Sequence, residues 1–246
     1  MKILLISGHG GGDSGACAKI DKVQYKESDE TIKMVELIAK YLDDVDIYPT
    51  SRNAFKDLKS GCLKADLKKY DYVLEIHFNA CVNDLKGNAK TSGTEIYVPK
   101  AETSTSTETK IVNAIEKFGL KNRGVKKYNW SVINRAKALG THSALLEICF
   151  IDDKDDMEIY LANREKIAKA IAEVLGGKAS TNSSKSFKVK CLDDLNIRKT
   201  PGGEIATKNG CKKGTVYTIT KTKDNWGYLK SGAGWIKISS KYVTRV

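Results

Sequence analysis

Proline is scarce in this chain, with 3 among 246 residues. Since 41% of the residues are hydrophobic, the chain is not a proline-rich or low-complexity disordered segment. No apolar run approaches the ~20 residues that a membrane-spanning helix needs. The six cysteines lie far apart without a CxxC pair, which excludes a zinc ribbon and a dense disulfide framework. They are expected to be reduced and to act as small buried apolar residues of a cytosolic product. The apolar run at 3–6 is shorter than the ~7–15 residues of a signal-peptide core and passes straight into a glycine-rich turn. Synthesis in the cytoplasm without a secretory address is the expectation. Acidic residues are rare in one part only. Residues 187–246 hold 13 basic against 4 acidic residues, a net of +9, whereas residues 1–175 hold 27 against 26. That asymmetry predicts two modules, the second suited to an anionic partner.

Hydrophobic periodicity supplies the elements. Strands are expected at 2–7, 45–49, 72–78, 94–98 and 143–149, and helices at 30–42, 55–69, 107–118 and 156–175. In the second of these helices Phe55, Leu58, Cys62, Ala65 and Leu67 would face inward. Strands alternating with helices predict an α/β domain over 1–175, with a mainly parallel twisted sheet flanked by helices. Residues 176–186, GGKASTNSSKS, are small and polar and read as a flexible linker. Residues 187–246 show short strands at 187–191, 195–198, 215–220, 226–229 and 234–238 between glycine-rich turns, which suits a small all-β barrel.

Histidine is also rare, with 3 residues in all. His9 follows the first strand inside SGHGGGDSGA, and His77 closes the strand YVLEIH. Functional residues of parallel α/β sheets gather beyond the carboxyl ends of strands. Two imidazoles there are a credible start for a metal site, and Glu27, in YKESDE before the first helix, offers a third ligand. Glu147 lies within the apolar strand ALLEICF, where a carboxylate is costly unless paired or functional. Each residue has a plainer explanation. A glycine-rich loop can cradle phosphate, although this one lacks GxGxxG and the P-loop lysine. A histidine at a strand end can be a satisfied hydrogen-bonder, Glu27 a helix-dipole carboxylate, and Glu147 a buried ion-pair partner.

The joint order of the motifs decides among these. GHGGGDSGA, ESDE, EIHFNA, NRGVK and ALLEICFIDD, met in that sequence over about residues 1–175, resemble the zinc-dependent N-acetylmuramoyl-L-alanine amidases, in the branch that includes phage endolysins and bacterial autolysins. The resemblance implies that His9, Glu27 and His77 hold a zinc ion and that Glu147 is the catalytic carboxylate. The ESD context assigns Glu27 rather than Glu30. Asn79 and Arg123, within two of these motifs, are expected substrate contacts, and His142 an incidental surface residue. The implied reaction is hydrolysis of the amide between the muramic acid lactyl group and L-alanine in peptidoglycan. The implied setting is lysis of a bacterium by a phage enzyme that waits in the cytoplasm.

LNIRKTPGG and GWIKISSKYV, within residues 187–246, resemble a bacterial SH3-like (SH3b) cell-wall-binding domain. Trp226, Tyr228, Trp235 and Tyr242 would line a peptide or glycan groove, or else half of them would fill the barrel core. The net +9 suits an anionic wall polymer, and equally nucleic acid; the adjoining amidase resemblance favours the wall. Three rival readings follow. They are a host autolysin of the same chemistry, a non-catalytic wall- or nucleic-acid-binding protein on an amidase scaffold, and a zinc peptidase that cuts within the peptide stem.

Overall fold

The computed structural model describes residues 1–177, 186–223 and 225–246. It forms two compact units, Met1–Ala179 and Ser180–Val246. Most of the linker expected over 176–186, from 178 to 185, lies outside the described residues.

The first unit runs β1 (Ile3–Ser7), β2 (Cys17–Ile20), β3 (Val23–Lys26), α1 (Glu27–Ala39), β4 (Val45–Ile47), α2 (Ala54–Lys59), β5 (Tyr72–Asn79), β6 (Thr94–Val98), α3 (Ser106–Glu116), β7 (Asn122–Lys127), α4 (Ser131–Ala138), β8 (His142–Phe150) and α5 (Lys154–Val174). Six strands form one sheet in the order β4-β1-β5-β8-β6-β7. Every pairing in it is parallel except β6 against β8. The α/β expectation with a mainly parallel sheet therefore holds.

Alternation along the strands divides the core. Ile3 and Leu5 of β1 pack with α1 and α5 residues such as Val35, Ile38 and Ile167 on one face. Leu4 and Ile6 pack with Ala54, Val132 and Ala136 of α2 and α4 on the other. Both faces are covered, so β1 reads as a continuous apolar run. Each such side chain, fully buried, contributes roughly 1.5–3 kcal/mol. The covering on the second face is short, six residues in α2 and eight in α4. The carboxyl ends of β1, β5 and β8 are left accessible on that face.

The departures from expectation have local causes. The helix expected over 55–69 stops after Lys59, because Gly61 takes φ 72°, a left-handed conformation that ends the helix. Leu67–Lys69 forms a separate 3-10 turn, and Phe55 and Cys62 are exposed. The first helix starts at Glu27 and not at 30. The backbone N–H groups of Glu27 and Ser28 donate to the carbonyls of Ala16 and Ser14, which satisfies two amides that a helix start leaves open. Three cysteines (Cys149, Cys191 and Cys211) are buried as expected, but Cys17, Cys62 and Cys81 are exposed. All six are free. Among the described residues no helix is long and apolar enough to cross a membrane.

The second unit is all-β. β9 (Phe187–Cys191), β10 (Val216–Lys223), β11 (Trp226–Leu229), β12 (Trp235–Lys237) and β13 (Val243–Arg245) form an antiparallel sheet in the order β12-β11-β10-β9-β13. Residues 195–198 make isolated bridges in place of the expected strand. The core is aliphatic and includes Val189, Leu195, Ile219, Leu229 and Ile236.

Candidate active site

The chain leaves β1 through Gly8 and enters four consecutive residues with positive φ: His9 (64°), Gly10 (90°), Gly11 (56°) and Gly12 (87°). Only glycine enters that region freely, so the GHGGG sequence lets this loop curl back over the strand end. His9 is the one side-chain-bearing residue in the run, and its imidazole is turned toward the start of α1. The loop docks on α1 through the Ala16 and Ser14 carbonyls already described, which sets His9 beside Glu27.

Glu27 is the hub. Its Oε2 accepts from the Ala16 N–H at 2.9 Å and its Oε1 from the Phe78 N–H at 3.0 Å. His9 Nε2 lies 3.1 Å from Oε2, and His77 Nδ1 lies 2.9 Å from Oε1. The two imidazoles meet edge to face at 5.1 Å. One donor atom from each of His9, Glu27 and His77 falls within 4.8 Å of the others. Each imidazole turns its second nitrogen to another carboxylate. His9 Nδ1 is 3.3 Å from Asp13 Oδ2, and His77 Nε2 is 3.4 Å from Glu75 Oε1. Asp13 is itself held by the Gly15 N–H and the Asn53 amide.

The carboxylates and imidazoles of the cluster favour one another's charged forms. Glu27 is buried, which favours its neutral form, but His77 and His9 outweigh burial and hold it well below the usual carboxylate range. Burial likewise opposes charge on His77, and Glu27 and Glu75 outweigh it, so its pKa is raised. His9 is raised chiefly by its bond to Glu27. Asp13, Glu27, Glu75 and Glu147 line one cavity of about 550 Å³ with only these two imidazoles.

Glu147 differs from its neighbours. It is 8% exposed, and its Oε2 is buried without a hydrogen-bond partner. Burial pushes its pKa up to about 7; His77 opposes the rise, and Glu27, Glu95 and Glu75 add to it. It sits beside His77 across the β5–β8 pairing and opposite Glu95 across the β6–β8 pairing.

The other expected residues fall as follows. Asn79 donates to Glu95 Oε1 at 3.1 Å, and Arg123 and Lys126 both bond to Glu95 Oε2. Burial alone would raise Glu95, but Lys126, Arg123, Tyr97 and Asn79 bring it down to about 2. Glu30 is turned away from the cavity onto Lys33, Tyr160 and Arg164. His142 is largely exposed and approaches Glu102 at 3.3 Å. A second carboxylate group, Asp84, Asp153 and Asp155, accepts the backbone N–H groups of Gly87, Ser92 and Asn88. In the second unit Trp226, Tyr228 and Trp235 alternate with buried residues along β11 and β12 and stay outside the aliphatic core. Tyr228 and Trp235 meet edge to face at 5.3 Å, and Arg198 and Lys237 lie over the Trp226 ring. Tyr242 packs against the core.

Sequence reasoning passed over Asp13, Glu75, Glu95 and Trp130. Glu75 was within its reach: a carboxylate two residues before His77 in an apolar strand shares the histidine's face. Trp130 lines the cavity from the start of α4, a helix the sequence reading did not anticipate.

An endolysin of Bacillus phage SPP1 is 30% identical over 277 residues, spanning 98% of this chain and 97% of that protein. An uncharacterized protein of Clostridium perfringens strain 13 is 30% identical over 213 residues, which cover 80% of this chain but only 60% of that longer protein. Among solved structures, the N-acetylmuramoyl-L-alanine amidase of Clostridium difficile 630 shares the fold at 21% identity, with a TM-score of 0.56 over 71% of this chain and 94% of that one. The catalytic domain of an endolysin targeting Clostridia difficile does so at 23% identity and a TM-score of 0.55, over 72% and 98%. Residues 3–176 match the family described as N-acetylmuramoyl-L-alanine amidase. With 3–176 matched, most of the first unit is covered, and the chain belongs to the N-acetylmuramoyl-L-alanine amidase family.

Proposed function

We propose that the chain is a zinc-dependent endolysin that cuts the amide between the muramic acid lactyl group and L-alanine in peptidoglycan. One observation carries the reading: a two-histidine, one-carboxylate cluster shares a cavity with a buried carboxylate whose Oε2 has no hydrogen-bond partner. Two imidazoles and a carboxylate suit zinc. His9, Glu27 and His77 are the proposed ligands. A zinc ion held there polarises a carbonyl and lowers the pKa of water. The Glu147 carboxylate takes the proton of the attacking water and passes it to the departing amine as the C–N bond breaks. Asn79 lines the same cavity as Glu147 and shares Glu95 with Arg123, and both are proposed as substrate contacts.

Asp13 and Glu75 orient the two imidazoles, as carboxylates behind metal-bound histidines do. Glu75→Gln is therefore expected to weaken zinc affinity by about 10-fold, read by competition with a chromophoric chelator. Wild-type affinity in that variant would remove Glu75 from this role.

Residues 187–246 are proposed as an SH3-like anchor for the wall, joined through residues 176–186 to the catalytic part at 1–175. Support comes from the net +9 and from the outward aromatics on β11 and β12 with cations stacked on them. A wall is favoured over nucleic acid because such an anchor raises the catalyst's effective concentration at its own substrate.

Purified bare walls test both parts. Digestion is expected to release free L-alanine amino termini with the lactyl group intact on the sugar, and to stop on chelation. A new terminus inside the peptide stem would replace this reading with a peptidase. In the same incubation the protein should sediment with the wall at low salt and be released as salt rises; salt-independent sedimentation would remove the charge argument.

A further inference from the structure

An aromatic surface borders the cavity and takes no part in holding a metal or moving the proton. Trp130 lines the cavity yet is 41% exposed. Tyr128, 50% exposed, lies with its ring 4.7 Å from that of Trp130 and tilted 53° to it. Tyr97 meets Trp130 edge-on at 6.0 Å, and its hydroxyl donates to buried Glu95. The backbone beneath is fixed as well. The Tyr128 N–H donates to Val98, the Trp130 N–H to Tyr128, and the Trp130 carbonyl accepts from Asn134 in α4. Two adjoining, half-exposed aromatic rings on a braced support, at the rim of a cavity, have the character of a ligand surface.

We propose that the Tyr128–Trp130 shelf is a glycan subsite, which stacks on the sugar that carries the scissile lactyl amide. This inference rests on the amidase reading and goes beyond it. Three bonds separate the scissile carbonyl carbon from the sugar ring, through the lactyl carbon and the ether oxygen. A carbonyl placed at Glu147 therefore brings its sugar to the rim of the same cavity. A pyranose presents C–H groups on a face and hydroxyls at its edge. A flat, uncharged ring covers the first and leaves the second in water. A peptide stem ends in a carboxylate, for which neither Tyr128 nor Trp130 carries a charge.

The test compares two soluble substrates of the zinc-loaded full chain: a disaccharide–peptide and the same peptide bearing only the lactyl group. The readout is the ratio of their kcat/KM values. Trp130→Ala is expected to lower that ratio about tenfold, and Trp130→Phe, which keeps a ring face, to restore most of it. Thermal unfolding of both variants checks that the fold is intact. An unchanged ratio, including an equal loss on both substrates, overturns the glycan subsite. If the wild-type chain cleaves neither substrate, the amidase reading itself fails and takes the subsite with it.

Discussion

Glu147→Gln is expected to lower kcat on peptidoglycan by about 10²–10⁴-fold while the protein keeps its zinc. Glutamine has nearly the same shape and cannot take a proton from water, so the loss isolates the proton transfer. Zinc content by elemental analysis and turnover on bare walls measure the two halves of this statement. Normal zinc together with wild-type turnover would end the assignment.

The same substitution should leave a pH signature in the metal-free protein. Burial pushes Glu147 up to about 7 from the usual 4.5. A carboxyl whose folded pKa is raised binds its proton more tightly in the fold. Its penalty is absent below pH 4.5, grows between 4.5 and about 7, and is fully present above that. At ~1.4 kcal/mol per unit the penalty reaches about 3 kcal/mol. Glutamine escapes it. Chelator-treated Glu147→Gln should therefore melt above wild type at pH 8 and level with it at pH 4. Equal melting at both values would mean that Glu147 is not desolvated as described.

Gly8→Ala should be nearly as damaging, from a residue that bears no side chain. A Cβ at Gly8 would lie within 2.6 Å of the Cε1, Nε2 and Nδ1 atoms of His77. The backbone cannot withdraw, because the Gly8 N–H donates to Ile76 at 2.8 Å and its carbonyl accepts from Thr31 Oγ1 at 2.8 Å. The imidazole must move instead. Zinc affinity is expected to fall by about 100-fold and activity with it, with a stability loss of roughly 1–3 kcal/mol from overpacking. Zinc titration and circular dichroism separate the two effects. A variant that binds zinc normally would show that the His77 ring is not seated over Gly8.

The contrast between Gly8 and Glu147 shows what a sequence makes legible. His9, His77 and Glu147 stood out because each breaks a pattern, as polar residues at the ends or within the interior of apolar strands; Glu27, in a polar segment before the first helix, was assigned only through the joint order of the motifs. The strands at 72–78 and 143–149 were visible for the same reason, since burial on both faces writes a long apolar run. Side-chain shape is not written that way, and the contact of Gly8 with His77 arises from two strands 70 residues apart in the chain. The β2–β3 hairpin was also hidden, because its partly exposed residues alternate weakly. α4 is only eight residues long, too brief for its Val132, Ile133 and Ala136 to register as a period. The antiparallel direction of β6, which places Glu95 opposite Glu147, depends on how the chain returns to the sheet, and no local pattern encodes it.

The two backbone amides that grip Glu27 have a consequence for the order of assembly. One comes from Ala16, near the start of the chain, and the other from Phe78, within β5. A nascent chain that has not yet paired β5 with β1 holds His9 and Glu27 but no seat for an ion. Metal capture at the proposed site would therefore report that the central parallel pairing is complete, and would add its binding energy only to chains that have reached that stage. Slow, long-range strand pairing is the step most exposed to error in such a topology. Loading at that point would act as a ratchet against reopening, so zinc supplied during refolding should raise the yield of folded chains as well as arm them.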